Sequence, residues 1–323
     1  MKRTAVAASI AMILAVVIGG GVASGQRDWF HDHSDTGRLV HILPSPELVP
    51  RDTAHTNAPA KPGLHVYRAS YGFGNLRNHR GHEIPFAAFH AIFWNGTVAN
   101  SAGSQGYSTL QAQVDAFGST YSDGAAYSQS DTAADYTIIT QYTSTDTISP
   151  GLVYLGSTVD NQATVSTISD SGIQAYLTTF FKGHPGINPS NTIFGIYFPH
   201  GMQITLQGSA SCSAFCGYHS SYTYNGIDVK YAVFPYTDCN GCTLSGKSAS
   251  DILTIVSSHE IRESVTDPDG TAWYDQVGYE ADDKCAWHNL YQMKRGGKST
   301  FWVQPEYSNG GNGFPGAGCV VPQ

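Results

Sequence analysis

The sequence predicts an α+β fold: a mixed sheet, a helix that carries a candidate site and a second helix that backs the sheet, with a C-terminal part braced by disulfides. Three observations lead there. Short apolar runs alternate with stretches of helical period, and no repeat is present. All six cysteines (Cys212, Cys216, Cys239, Cys242, Cys285 and Cys319) lie in the C-terminal part. Ser248-x-x-Asp251 opens a half-apolar helix that holds His259-Glu260-Ile261-Arg262-Glu263, and Pro268 with Asp269-Gly270 stops it.

Taken in order, the chain of 323 residues begins with Lys2-Arg3, an apolar run from Ala5 to Ile18 and small residues up to Gly25. This pattern reads as a signal peptide over residues 1–25, cleaved after Ser24 or Gly25. The run is short for a membrane span, and nothing later is long enough. The expectation is a secreted chain with no membrane contact in its mature form. Without Lys2 and Arg3 the 17 basic residues fall to 15, against 25 acidic ones. That balance argues against a nucleic-acid partner. Residues 26–65, with Pro44, Pro46, Pro50, Pro59 and Pro62, read as an irregular exposed arm or pro-segment. His31, His33, His41 and His55 in it are expected to be solvated.

One domain is expected over 66–323. His90–Trp94 is a short strand, followed by a turn at Asn95-Gly96-Thr97 that also matches a glycosylation acceptor. Thr109–Phe117 reads as a helix, Tyr136–Tyr142 as a strand, and Leu152–Gly156 as a strand near it. Asp170–Phe181 is a helix with Ile173, Tyr176, Leu177, Phe180 and Phe181 on one side. Thr192–Phe198 is the most apolar strand, and Lys230–Pro235 is another. An even number of cysteines in an exported chain implies disulfides, and the local pairing Cys212–Cys216, Cys239–Cys242 and Cys285–Cys319 is expected. The rival is a structural zinc site built from the first four.

On a helix His259 and Glu263 stand one turn apart, so both can grip one ion, and Glu260 points near it. This is the geometry of the zinc-protease H-E-x-x-H motif, with Glu in the second ligand position. Zinc accepts carboxylate oxygen as well as imidazole, and another divalent cation would also fit. A catalytic ion needs a third ligand. Asp269 lies ten residues after His259, but it is also a natural turn residue. Glu280 is preferred as ligand, with Asp283 orienting the metal-bound histidine. Glu260 would then be the general base, and Tyr274, His219 and His288 are candidate oxyanion donors. The expected fold around such a motif is zincin-like.

Several spaced motifs also resemble the EXORDIUM or phosphate-induced protein family. They are His259-Glu260-Ile261-Arg262-Glu263 with Thr266-Asp267-Pro268, Ala272-Trp273-Tyr274, Glu280 with Asp283-Lys284-Cys285, Cys216-Gly217-Tyr218-His219, Cys239-x-x-Cys242, and Val303–Asn309 through Cys319. The resemblance covers roughly residues 190–323 well and the earlier part loosely. It implies an extracellular, growth- or cell-wall-related protein and supports Glu280 and Asp283, which match the family pattern. It supplies no reaction. Two readings follow: a secreted zinc-dependent hydrolase, most simply a metallopeptidase acting on a peptide or cell-wall-associated substrate, or a non-catalytic extracellular protein that binds carbohydrate or protein. A serine nucleophile is disfavoured, because no G-x-S-x-G elbow occurs at a strand-to-helix turn.

Overall fold

A strand that is apolar on both faces must be covered on both sides. Thr192–Tyr197 is such a strand, with all six residues buried. In the computed structural model, which describes residues 29–49, 64–122, 136–144, 147–295, 298–311 and 316–322, it sits inside a seven-stranded mixed sheet. The strands are His31–His33 (β1), Leu39–Pro44 (β2), Ala88–Phe93 (β3), Val153–Val159 (β4), Thr192–Tyr197 (β5), Phe215–Tyr224 (β6) and Ile227–Phe234 (β7). Their spatial order is β1-β2-β6-β7-β5-β3-β4. The four from β7 to β4 run parallel, and β1, β2, β6 and β7 pair antiparallel.

Three helices cover the sheet: Leu110–Ser122 (α1), Asp170–Gly183 (α2) and Ala249–Thr266 (α3). Side chains alternate along a strand. Phe194 of β5 packs edge-on against Phe181 of α2, whereas Tyr197, three residues on, hydrogen-bonds Ser257 of α3 at 2.8 Å. The two helices therefore lie on opposite faces, and α1 contacts α3 on its side. Gly195 is required where it stands, because a Cβ there would come within 2.6 Å of Phe89 and 2.8 Å of Phe234. One continuous apolar cluster runs from Phe30 to Cys319. Among the described residues no helix is long and apolar enough to cross a membrane.

Several expectations are corrected. Part of the anticipated arm is β1 and β2, which extend the sheet beyond β6 and bury Val40 and Leu43. Leu39–Pro44 has only apolar neighbours around one histidine, a pattern masked by Pro44 and the prolines that follow it. His41 in this segment is buried, not solvated. Residues 1–28 and 50–63, including the predicted signal peptide and His55, lie outside the described residues. Tyr136–Tyr142 is not a strand: it is helical, with a 3-10 turn over Ile138–Gln141. Its apolar residues fill the core on several sides, and the Tyr142 amide closes locally on the Ile139 carbonyl at 2.9 Å. Asn95 is buried and caps a short helix Gly96–Ala99, its amide donating to Gln162 and Thr164, which disfavours it as a sugar acceptor.

The disulfides are Cys212–Cys239, Cys216–Cys242 and Cys285–Cys319. Only the last follows the expected pairing. The first two cysteines each reach across to the second pair, which staples the start of β6 to the loop after β7. With the thiols bonded, the rival zinc site is not formed.

His90 on β3 is buried between Thr158, Phe180 and Phe194. Burial, reinforced by His184, depresses its pKa from 6.5 to about 4. The unfolded chain therefore binds the extra proton first as pH falls. The stabilisation is complete above about pH 6.5 and lost on the way down to about pH 4, a change on the order of 3 kcal/mol. His90→Gln is expected to flatten that stretch of the stability profile, measured by urea unfolding at pH 7 and pH 4.5. Equal acid sensitivity in both proteins would refute the assignment.

Candidate metal centre

Helix α3 begins with the predicted capping box: the Ser248 hydroxyl accepts the Asp251 amide, and the Asp251 carboxylate accepts the Ser248 amide. It then runs buried along its length, against the sheet on one side and the strand Lys298–Val303 on the other. His259, Glu260 and Glu263 are each at most 1 % exposed. After the helix, Asp267 Oδ1 accepts the amides of Thr271 and Ala272 at 2.6 and 2.7 Å, closing the loop. Asp275 organises the next turn by accepting the amides of Val277 and Tyr279 and pairing with Lys284. That turn returns Glu280 and Asp283 to the helix.

Three overlapping groups of ligand atoms result, one of them His219, Glu260 and Glu263. His259 Nε2 lies 2.9 Å from Glu263 Oε2 and 3.6 Å from Asp283 Oδ1. His41 Nδ1 and His219 Nε2 lie 2.8 and 3.1 Å from Glu280 Oε2. Within each group the ligand atoms fall inside 4.8 Å of one another. Zinc bonds of 2.0–2.1 Å in a tetrahedron separate neighbouring ligand atoms by about 3.3 Å, so these ion-pair spacings are also wide enough to take a cation. His219 Nε2 is also 3.7 Å from Glu263 Oε2, which joins the groups.

The carboxylates are aimed by the backbone. The Asp283 amide donates to Glu263 Oε1 at 3.0 Å, leaving Oε2 toward His259. The Glu280 amide donates to Asp283 Oδ2 at 2.9 Å, leaving Oδ1 toward the same ring. The Gln304 side chain lies against His259 Nδ1, with Oε1 at 3.4 Å and Nε2 at 3.1 Å. When Nδ1–H donates to that oxygen, the Nε2 lone pair is free for an ion.

Electrostatics point the same way. Burial and then neighbouring carboxylates push Glu260, Glu263 and Asp283 well above the usual carboxylate range. Burial and the same crowding hold Asp267 at about 7. Burial, with Arg262, holds His259 down at about 3 and so neutral. Burial alone would lower His41, but Glu280 beside it outweighs this and raises it to about 9. Burial likewise works against Glu280 ionisation, but His41 and His219 hold it below the normal range. His219 is pushed down by burial, against the pull of Glu280. The pocket thus gathers more carboxylate than cationic charge. Neither Glu260 oxygen has a well-formed hydrogen bond, and the nearby Leu43 amide favours the ionised form only against the larger effect of burial. Gly217 makes room for it, since a Cβ there would meet Glu260 Oε1 at 2.9 Å and Val256 at 2.3 Å.

The predicted residues are therefore distributed as follows. His259, Glu263 and Asp283 converge, while Glu280 sits one step away with His219. Tyr274 stacks on His79 and lines a rim cavity of about 270 Å³ with His31, Leu39, His41, Gly270 and Gly278. His288 bonds Tyr71 at 2.8 Å and joins none of the ligand groups. Asp269 is bound to Lys230 and Ser221, at 2.5 and 2.8 Å. Sequence reasoning missed His41 and Gln304. The apolar run of Leu39–Pro44 around His41 is a usable sign for the first; nothing local marks the second.

Arg262, inside the motif, is fully buried. Its guanidinium pairs with Asp282, with Glu306 at 2.7 Å and with the Gln304 carbonyl at 3.0 Å. Removing one partner of a buried ion pair strands the others, which costs about 3–5 kcal/mol. Arg262→Ala is expected to lose that much by urea unfolding, and Arg262→Met with Asp282→Asn and Glu306→Gln to regain a good part. A loss near zero for Arg262→Ala would show that the cluster does not hold these segments.

No family model, curated protein or solved structure matches this chain.

Proposed function

We propose that the chain is a secreted metal-dependent hydrolase of zincin type, holding a zinc or similar divalent ion through His259, Glu263 and Asp283. A peptide or cell-wall-associated molecule is its substrate. The carrying observation is Glu260. It is fully buried, has no hydrogen-bond partner, and lies with its ligand atom within 4.8 Å of those of His219 and Glu263. An unpartnered buried carboxyl group is a liability of several kcal/mol that a purely structural ion does not require. A general base beside a bound ion does require it. The ion, when bound, supplies Lewis acidity and an acidified water. Glu260 takes the proton of the attacking water and passes it to the leaving group. His219 lines the smaller cavity beside the centre and Tyr274 the larger rim cavity, which makes them the candidate donors to a substrate oxygen. The disulfides support an oxidising, extracellular setting.

A second reading is favoured by one observation: the site is closed. Glu260 lines neither the 270 Å³ rim cavity nor the smaller one beside His219. In that reading the ion braces a non-catalytic extracellular protein of the EXORDIUM type.

The two separate in one experiment. Metal content and hydrolysis of a broad peptide and ester panel are compared for wild type, His259→Ala and Glu260→Gln. The hydrolase reading expects bound zinc in wild type and Glu260→Gln, loss of ion in His259→Ala, and activity at least 100-fold lower in both variants. Retained metal with no Glu260-dependent turnover would support the brace. No metal in folded wild type would remove both.

A further inference from the structure

Three histidines stand at one register on three adjacent strands. His31 pairs with His41 across β1 and β2, and His41 with His219 across β2 and β6. Directly paired residues share a sheet face, here the face that α3 covers. The His31 and His41 rings meet edge-on at 4.6 Å, and those of His41 and His219 stack at 5.3 Å. A row of core histidines would ordinarily be satisfied by hydrogen bonds. His41 is not: it is over nine-tenths buried, and neither ring nitrogen has a partner in hydrogen-bonding geometry. Its Nδ1 nevertheless lies 2.8 Å from Glu280 Oε2. That contact is an ion pair in the absence of a metal, and with His219 Nε2 it gathers three ligand atoms within 4.8 Å of one another, where they can face a common ion. Glu280 Oε1 is also buried and unpartnered.

We propose that His41, His219 and Glu280 form a second divalent-cation position beside the His259–Glu263–Asp283 one, so that the centre takes two ions. This rests on the metal-centre reading above. Two imidazoles and one carboxylate match the donor set of catalytic zinc, which leaves a further coordination position for water or substrate. Glu263 Oε2, at 2.9 Å from His259 Nε2 and 3.7 Å from His219 Nε2, stands between the two positions as a shared carboxylate. Paired ions of this kind clamp both the attacking and the leaving oxygen of a hydrolytic step.

The second position also answers the closure of the first. His41 lines both rim cavities, whereas His259 and Glu263 line neither. A substrate carbonyl or phosphoryl oxygen entering past Tyr274 therefore reaches the outer position first. Gly270 keeps that approach open: it has φ of +67°, and a Cβ there would lie 2.6 Å from His41 Nε2.

The test is zinc stoichiometry of the full exported chain after equilibration with zinc, by elemental analysis. Two ions per chain are expected in wild type, falling to one in His41→Ala and to one in Glu280→Gln, with folding checked by circular dichroism. Anomalous diffraction at the zinc edge gives a second readout that needs no variant: two peaks are expected, one bounded by His41, His219 and Glu280. One ion per chain, kept in His41→Ala and lost in His259→Ala, would overturn the second position and leave the first. One ion lost in His41→Ala and kept in His259→Ala would overturn the two-ion centre and the His259–Glu263–Asp283 position, and no ion at all would overturn both positions. Two ions retained in folded His41→Ala and Glu280→Gln would overturn the ligand set.

Discussion

The Arg262 guanidinium is the contact on which the centre depends. Its partners Asp282, Gln304 and Glu306 come from two segments far from the helix in sequence. One segment delivers Glu280 and Asp283, and the other delivers Gln304 to the back of His259. An arginine buried this deeply is tolerable only because carboxylates and a carbonyl satisfy its fork of donors. The pairing is therefore less a source of net stability than a device of register. It determines which carboxylates face His259.

That arrangement explains why the centre carries an excess of acid. Arg262 is matched by Asp282 and Glu306, so it cannot neutralise the ligand carboxylates. What remains is Glu260, Glu263, Asp267, Glu280 and Asp283 against three imidazoles, all buried from solvent. Such a pocket is held together either by protons or by cations. The shifts follow the proton solution: carboxyls pushed up, His41 charged. Divalent ions would supply the same charge and also satisfy the oxygens and ring nitrogens left without hydrogen bonds.

Much of this was readable from sequence where the signal is local. The helix, its capping box, its stop and the one-turn spacing of His259 and Glu263 follow from residues close together in the chain. So do the strand at Thr192–Tyr197 and the helix at Asp170–Gly183. The misses are non-local. His41 acquires its role only through antiparallel pairing with β6. Cys212 and Cys216 find partners beyond β7, because antiparallel pairing of β6 with β7 brings the loop after β7 back beside the start of β6. Glu280 and Asp283 are three residues apart, and backbone amides decide which turns to which histidine; no side-chain spacing encodes that choice. The run Tyr136–Tyr142 has strand composition but no strand to pair with, and burial outweighed propensity.

The N-terminal strands show how tightly fold and site are joined. β2 is bonded along β6, its Pro44 carbonyl accepts the Trp287 indole at 2.8 Å, and the Ser45 amide reaches Ala214. A segment held by this many main-chain bonds is part of the sheet, not a detachable arm. It also places His41 over Glu280 and brings Leu43 beside Glu260. An inhibitory pro-segment should leave a complete centre behind when it is removed. Here removal would take away a ring of the histidine row and one wall of the Glu260 pocket. β1 and β2 therefore form one wall of the centre, beside the rim cavity lined by Leu39, Gly270 and Tyr274.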